Sequence, residues 1–149
     1  GLVLVKTTAL AREVVRNFQK AEKEEKNFNK KISPFSNLNT EDKYVQFVKK
    51  IMPIDAVVET EVEQISKKAL ELVAKNPASQ NPDSKFRITI RKRYTDVKTA
   101  EIIGPIADKI PNKVDLQDYD WVVQIEILGK ITGISILQPE EIFEPLTKD

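Results

Sequence analysis

The stretch WVVQIEILGKITGISIL (121–137) constrains the fold more than any other part of the sequence. From Trp121 onward every second residue is apolar, as in a strand that buries one face. Gly129 and Lys130 then fit a two-residue turn with glycine in the first position, and ITGISIL (131–137) follows as the partner strand. The sequence therefore predicts a β-hairpin.

The residues before this hairpin alternate between helical and extended patterns. Apolar residues at helical spacing predict one helix over 60–75, opened by a capping box of Thr60 and Glu63. The polar stretch 76–85 contains two prolines and is predicted to be an exposed loop. A second helix is predicted over 98–110. The second half of the chain thus combines helices with strands.

The first part of the chain has a similar alternation on a smaller scale. LVLVK (2–6) predicts a buried strand, and a helical period begins at Thr8. A strand over 28–35, a helix beginning at Thr40 and a strand over 52–59 follow. This order, within fewer than 60 residues, is typical of a small ferredoxin-like α+β unit.

We therefore predict an α+β protein of two domains, a ferredoxin-like N-terminal domain over 1–58 and a second domain over 59–149.

The composition excludes several kinds of chemistry. The chain has no cysteine and no histidine, so disulfides, thiolate metal sites and histidine-based catalysis are excluded. Four glycines cannot form a phosphate-binding glycine-rich loop. We expect no cofactor and no catalytic residue.

The chain is also expected to lack a membrane segment and a metal site. No apolar run approaches the roughly 20 residues of a membrane span, and no signal-peptide pattern is present, so a cytoplasmic protein is expected. Asp115, Asp118 and Asp120 cluster in the sequence, but their spacing in a loop is weak support for a magnesium site.

Positive charge is concentrated in one short segment although the net charge is only +1. In FRITIRKRY (86–94), the apolar Phe86, Ile88 and Ile90 alternate with arginines on the opposite face. Guanidinium groups suit phosphate oxygens, which suggests nucleic acid as a partner, although basic strand ends also occur as ordinary surface. Tyr94 is an aromatic residue near this strand that could stack on a base, as is Tyr119. The candidate RNA-binding residues of this region are Arg87, Arg91, Lys92, Arg93, Tyr94, Lys98, Lys109 and Lys113.

Four segments in order, RITIRKRY, EIIGPIADKI, KVDLQDYDWVVQIEILG and KITGISIL, together resemble the THUMP domain of tRNA-modifying proteins. The earlier stretch MPIDAVVETEVEQISKKALELV resembles one subgroup, the stand-alone tRNA cytidine-acetylation accessory proteins of eukaryotes and archaea. The resemblance implies an α/β THUMP domain with a mixed sheet over 59–149. It also adds Gly129, Lys130 and Gly133 to the candidate RNA-binding residues.

The function that this resemblance implies is that of a tRNA-binding adaptor without catalysis. Such a protein recognises the acceptor stem and the 3′ CCA end and presents the tRNA to a separate RNA cytidine acetyltransferase. An alternative interpretation is a protein-interaction module, in which RNA contact is incidental. In that case the helix over 60–75 and the acidic tail would dock a tRNA-modifying enzyme. The acidic residues of the tail are Glu140, Glu141, Glu144 and Asp149.

Overall fold

The computed structural model describes residues 3–31 and 50–144 of the 149-residue chain. Contacts divide the chain into two units, one made of Gly1–Pro53 with Glu140–Asp149 and the other of Ile54–Pro139. The predicted domain division between residues 58 and 59 stays a prediction. No helix in the described ranges combines the length and the apolar character that a membrane crossing requires.

The regular elements are named here in chain order. The helices are α1 (Ala11–Lys31), α2 (Val62–Lys75), α3 (Pro77–Gln80) and α4 (Thr99–Ala107). The strands are β1 (Ala56–Glu59), β2 (Lys85–Arg93), β3 (Lys113–Val114), β4 (Trp121–Leu128) and β5 (Ile131–Leu137).

The described strands of the second unit form one five-stranded mixed sheet in the order β1-β5-β4-β2-β3. β5 runs antiparallel to both β4 and β1, whereas β2 runs parallel to both β4 and β3. The predicted hairpin is confirmed, because Leu128 pairs with Ile131 across a two-residue turn. The predicted α+β class with a mixed sheet is also confirmed.

The core of this unit lies between the sheet and the helices α2 and α4. Every second residue of β4 points into it, beginning with Trp121, whose indole N–H donates to the Ser84 hydroxyl at 3.0 Å. The helices contribute Ile65 and Ala69 from α2 and Ile102 and Ile106 from α4. These side chains are fully buried and cover one face of the sheet.

The helix predicted over 60–75 forms, but its predicted capping box is wrong. The N-cap residue is Glu61, and no side chain caps the helix. The Thr60 hydroxyl is instead 2.9 Å from that of Thr132 on β5, and the Thr60 N–H donates to the Lys130 carbonyl. Thr60 therefore ties the start of α2 to the hairpin.

The predicted loop over 76–85 contains a short helix. Asn76 caps α3 with its side-chain oxygen, which accepts from the Ala78 N–H at 2.9 Å. The Ser79 hydroxyl donates to the Val73 carbonyl and so links α3 back to α2. Local side-chain to backbone bonds of this kind order a polar segment that has little apolar surface to bury.

The predicted strand over 52–59 forms over Ala56–Glu59, but it belongs to the sheet of the second unit. There it pairs with β5 as an edge strand. Ala56 lies beside Ile134 and Val58 beside Thr132, so the alternation of β1 matches the core face of β5. Sequence order alone predicts this strand as part of the ferredoxin-like domain.

In the first unit, the predicted strand over 2–6 is wrong for 3–6, and residue 2 lies outside the described residues. Residues 3–7 form no strand, and Val3 and Val5 are each 78% exposed. Branched apolar residues favour strands only where a partner strand and a packing surface exist. The predicted strand over 28–35 is wrong for 28–31, which belong to α1. Its remainder and the helix predicted from Thr40 lie outside the described residues.

The described part of the acidic tail is tied to other residues of the first unit. The Glu141 carboxylate is 3.3 Å from the Arg12 guanidinium, and that of Glu144 is 3.0 Å from Lys50 Nζ. The Phe143 ring lies against Phe18, with ring centroids 6.1 Å apart. The tail up to Glu144 thus engages its own unit rather than projecting as a free acidic segment.

Candidate nucleic-acid interface

β2 begins as a core strand and ends as an exposed cationic one. The fully buried Phe86 stacks on Trp121, with ring centroids 4.9 Å apart. Ile88 and Ile90 continue the same face, because each lies beside a core residue of β4 in the sheet register. The predicted alternation of this strand is therefore confirmed, with its arginines on the opposite face.

The last three residues of β2, Arg91, Lys92 and Arg93, are exposed. Within the described residues, neither Arg91 nor Arg93 forms an ion pair. Glu126 lies beside Arg91 in the register, and its carboxylate accepts a hydrogen bond from the Gln124 amide at 2.8 Å. The two guanidiniums share one face at a pitch of roughly 6.6–6.8 Å and are available to an external anion.

The connection from β2 to α4 adds another cation at this end of the strand. Lys92 Nζ donates to the Val97 carbonyl at 3.0 Å, which holds the connection against the strand end. Lys98 is the next residue and the N-cap of α4, and it is exposed. Lys98 is therefore held close to Lys92.

The hairpin turn between β4 and β5 adds a cation from the other side. The Gly129 N–H donates to the Arg93 carbonyl at 2.8 Å, which places Lys130 beside the end of β2. Gly129 has φ 58°, as does Tyr94, the residue that follows β2. We name the exposed cations gathered here the basic end; they are Arg91, Lys92, Arg93, Lys98 and Lys130.

Three predicted RNA-binding residues do not join the basic end. Lys113 pairs with Lys85 at the start of β2, which is the opposite end of the strand. Lys109 follows α4 on the return of the chain to that same end. Gly133 lies inside β5 rather than in the turn, and a Cβ atom there would be 3.0 Å from Cδ1 of Ile54.

Arg87 is held by the loop that precedes β4. Its Nη1 donates to the Leu116 carbonyl at 3.1 Å, and its guanidinium carbon lies 5.1 Å from the ring centroid of Tyr119. The Arg87 Nε is buried and has no hydrogen-bond partner among the described residues. Arg87 thus contributes to loop packing, and its predicted contact with RNA stays a prediction.

The same loop, residues 115–120, surrounds the start of β2 with carboxylates, and we name it the acidic loop. Lys85 Nζ donates to Asp118 at 2.9 Å and to Asp115 at 3.3 Å, and these bonds raise the pKa of Lys85. The backbone N–H groups of Asp118 and Gln117 donate to the Asp115 carboxylate, and with Lys85 beside it they lower the pKa of Asp115. Positive charge at this end of β2 is therefore compensated.

The position of the acidic loop at the start of β2 is the part of the site that sequence reasoning missed. The segment KVDLQDYD places three carboxylates and an aromatic ring directly before β4. Because β4 is parallel to β2, a loop that precedes β4 must lie near the start of β2. That topology was the missing information. Across residues 3–31 and 50–144 no group of carboxylates has an arrangement that could hold a metal ion.

Solved structures of several proteins are similar to part of this chain. PH1313 from Pyrococcus horikoshii is 25% identical with a TM-score of 0.51; the match covers 60% of this chain and 33% of PH1313. The THUMP domain of THUMP domain-containing protein 1 is 25% identical with a TM-score of 0.44, covering 53% of this chain and 88% of that domain. A 4-thiouridine synthetase, solved with RNA and ATP, is 18% identical with a TM-score of 0.49, covering 76% of this chain and 30% of the synthetase. This chain thus corresponds to about a third of the length of PH1313.

A search of curated proteins gave no significant match. The family model of the THUMP domain matches residues 59–137, from the end of β1 through β5. THUMP domains bind RNA and occur in enzymes that modify tRNA. The matched region contains the basic end. Since this region is more than half of the 149 residues, the chain belongs to the THUMP domain family.

Proposed function

We propose that this chain binds tRNA through the basic end and presents the acceptor stem and 3′ CCA end to a separate tRNA-modifying enzyme. The observation that carries the proposal is the group of exposed cations at the end of β2, where Arg91 and Arg93 have no acidic partner among the described residues. A concentrated positive charge on a strand, with arginines that form no ion pair, is what a phosphate backbone requires. The RNA-binding character of the THUMP family supports RNA as the partner.

The finer parts of the proposal rest on the sequence resemblance. The similarity of residues 52–73 to the tRNA cytidine-acetylation accessory proteins makes an RNA cytidine acetyltransferase the proposed enzyme partner. In this arrangement the chain itself carries no catalytic residue, uses no cofactor and works in the cytoplasm. Formation of acetylated cytidine in tRNA by this protein alone, supplied with acetyl-coenzyme A, would contradict the adaptor role.

The basic end can be tested by charge reversal. We expect Arg91→Glu with Arg93→Glu to weaken tRNA binding on the order of 10- to 100-fold near 0.1 M salt, because two phosphate contacts are lost. The loss should be similar for different tRNAs, since phosphate contacts carry no sequence information. Filter binding with purified tRNAs measures both effects.

The matched control is the same change of charge at the opposite end of β2. Lys109→Glu with Lys113→Glu also reverses two cations, but these lie beside the acidic loop. We expect this pair to have much less effect on affinity. Equal effects of the two double variants would indicate that only net charge matters and that the basic end is not a defined site.

The alternative of a protein-interaction module predicts a different result. In that case the reversal of Arg91 and Arg93 leaves tRNA affinity unchanged, while the proposed partner enzyme still binds the chain. The ion pairs of Glu141 and Glu144 within the first unit make the tail less available as a docking segment. We therefore favour the RNA-binding adaptor.

A further inference from the structure

Tyr94 has an unusual combination of backbone conformation and exposure. Its φ is 58°, and in the described ranges it is the one non-glycine residue with a positive φ. A left-handed backbone brings Cβ too close to the following carbonyl oxygen, so a bulky residue there is unfavourable. The ring gains no burial in return, because Tyr94 is 88% exposed. Strained residues of this kind concentrate at functional sites.

The backbone on both sides of Tyr94 is fixed by hydrogen bonds. The Arg93 carbonyl accepts from the Gly129 N–H at 2.8 Å. After Tyr94, the Val97 carbonyl accepts from Lys92 Nζ at 3.0 Å, and the Val97 N–H donates to the Thr95 hydroxyl at 3.3 Å. The ring is therefore presented at a defined position, directly after two arginines of the basic end.

The other aromatic candidate for stacking is already occupied. The guanidinium of Arg87 lies over the Tyr119 ring at 5.1 Å from its centroid. Among the described residues, the paired aromatic rings are Phe86 with Trp121 and Phe18 with Phe143, and none of these includes Tyr94. The ring faces of Tyr94 are thus available to a ligand.

We propose that Tyr94 is a stacking platform for an unpaired base of the bound RNA, with the phosphates of the same strand on the basic end. The inference rests on the proposed function, because it requires RNA at the basic end. Bases inside a duplex already stack on their neighbours, so an exposed tyrosine can accept only a base that is unpaired. Stacking is tolerant of sequence, since every base has a π-face. The ligand class is therefore RNA that carries at least one unpaired nucleotide beside its phosphate contacts.

The test compares two RNA hairpins that have identical phosphates. Each has the same duplex stem and a four-nucleotide single-stranded extension, and in one of them the extension consists of abasic residues. We expect the wild-type protein to bind the base-containing hairpin about 5- to 150-fold more tightly, the range expected for one stacked base. Tyr94→Phe should keep this preference, because it keeps the ring. Tyr94→Gly should lose it.

Glycine is the sharpest substitution because it removes the ring and relieves the backbone strain together. We expect the Tm of Tyr94→Gly to equal or exceed that of the wild type. Loss of the preference together with an undiminished Tm cannot come from misfolding. Arg91→Glu with Arg93→Glu should weaken binding of both hairpins and leave their ratio unchanged, because it acts on phosphates.

These outcomes separate the inference from the proposed function. If the wild type binds both hairpins equally, or if Tyr94→Gly still prefers the base-containing one, Tyr94 is not a stacking platform. The charge reversal then tests the basic end independently. If the wild type binds neither hairpin and no tRNA, the proposed function fails and this inference fails with it. If Tyr94→Gly instead loses only the binding of the proposed enzyme partner, the ring serves a protein contact.

Discussion

Two neighbouring residues at the end of β2 share a left-handed backbone at very different cost. Gly129 and Tyr94 both have φ 58°. The Gly129 N–H donates to the carbonyl of Arg93, the residue before Tyr94. Glycine adopts this conformation freely because it has no Cβ, whereas tyrosine does not. A Cβ on Gly129 would be 3.9 Å from the Tyr94 carbonyl oxygen, which is an ordinary contact. The constraint at Gly129 is therefore conformational and not steric crowding by its surroundings.

A substitution at Gly129 tests this distinction. We expect Gly129→Ala to lower the free energy of unfolding by about 1–2 kcal/mol, the usual cost of placing a Cβ in the left-handed region. Gly129→Asn should cost less, because asparagine visits this region more readily. Urea denaturation of the three proteins measures the order. Equal losses for alanine and asparagine would mean that crowding, and not backbone conformation, limits this position.

At the scale of the element, β2 is a strand with two electrically different ends. At its start, Lys85 is paired with Asp115 and Asp118 of the acidic loop. At its other end, the described residues supply no acid that pairs with Arg91 or Arg93. In the proposed function, an RNA strand laid along β2 is therefore attracted to the basic end and not to the start of the strand.

The acidic loop should also make stability depend on pH. The pKa of Asp115 is lowered from its ordinary value of 3.8, so its ionised form stabilises the folded chain. This contribution is present above the ordinary value and is lost as the pH falls through the lower folded-state pKa. Asp115→Asn keeps the acceptor oxygen and removes the charge. We expect the free energy of unfolding of the wild type to exceed that of the variant from about pH 5 upward. The difference between the two should decrease below about pH 4. Denaturant titrations across this range measure it, and a difference that does not change with pH would contradict the assignment.

At the scale of the whole molecule, the number of phosphate contacts sets how binding depends on salt. If all five cations of the basic end meet phosphates, the log–log slope of affinity against salt is expected between about −3.5 and −4.5. Between 50 and 200 mM salt this is a loss of roughly 100-fold to several hundred-fold. Filter binding at several salt concentrations gives the slope. The Arg91→Glu, Arg93→Glu protein should have a slope flatter by about 1.4–1.8, whereas the control at Lys109 and Lys113 should leave the slope unchanged.

Local sequence patterns predicted four strands of the described sheet, including the cationic one, but not the two-residue β3. The hairpin of β4 and β5 and the alternation of β2 follow from period-two patterning and a glycine turn, which are short-range signals. The helices α2 and α4 follow from helical spacing of apolar residues, although the predicted Thr60 cap did not form. Thr60 has a partner 72 residues away, and no local pattern specifies such a contact.

The arrangement of the site was less predictable because it depends on strand order. The sequence predicted a single group of RNA-binding cations that included Arg87, Lys109 and Lys113. Parallel pairing of β2 with β4 brings the acidic loop to Arg87, and the return of α4 takes Lys109 and Lys113 to the same end. The left-handed backbone of Tyr94 was also unforeseen, since it is imposed by contacts of its neighbours and tyrosine does not favour it.

The strand order also has a consequence for the way this chain folds during its synthesis. β1 pairs with β5, and β2 pairs with β4 and with the two-residue β3, so among the described strands the first ones made have their main partners among the last. While the ribosome adds residues 60–120, the main partner strands of β1 and β2 have not been synthesised. The apolar faces of β1 and most of β2 therefore stay uncovered in the nascent chain. The β4–β5 hairpin is local and closes within about 1–10 μs once it is available. We therefore expect translation of Ile131–Leu137 to be the event that lets the whole sheet form, with the hairpin as the template onto which the older strands assemble.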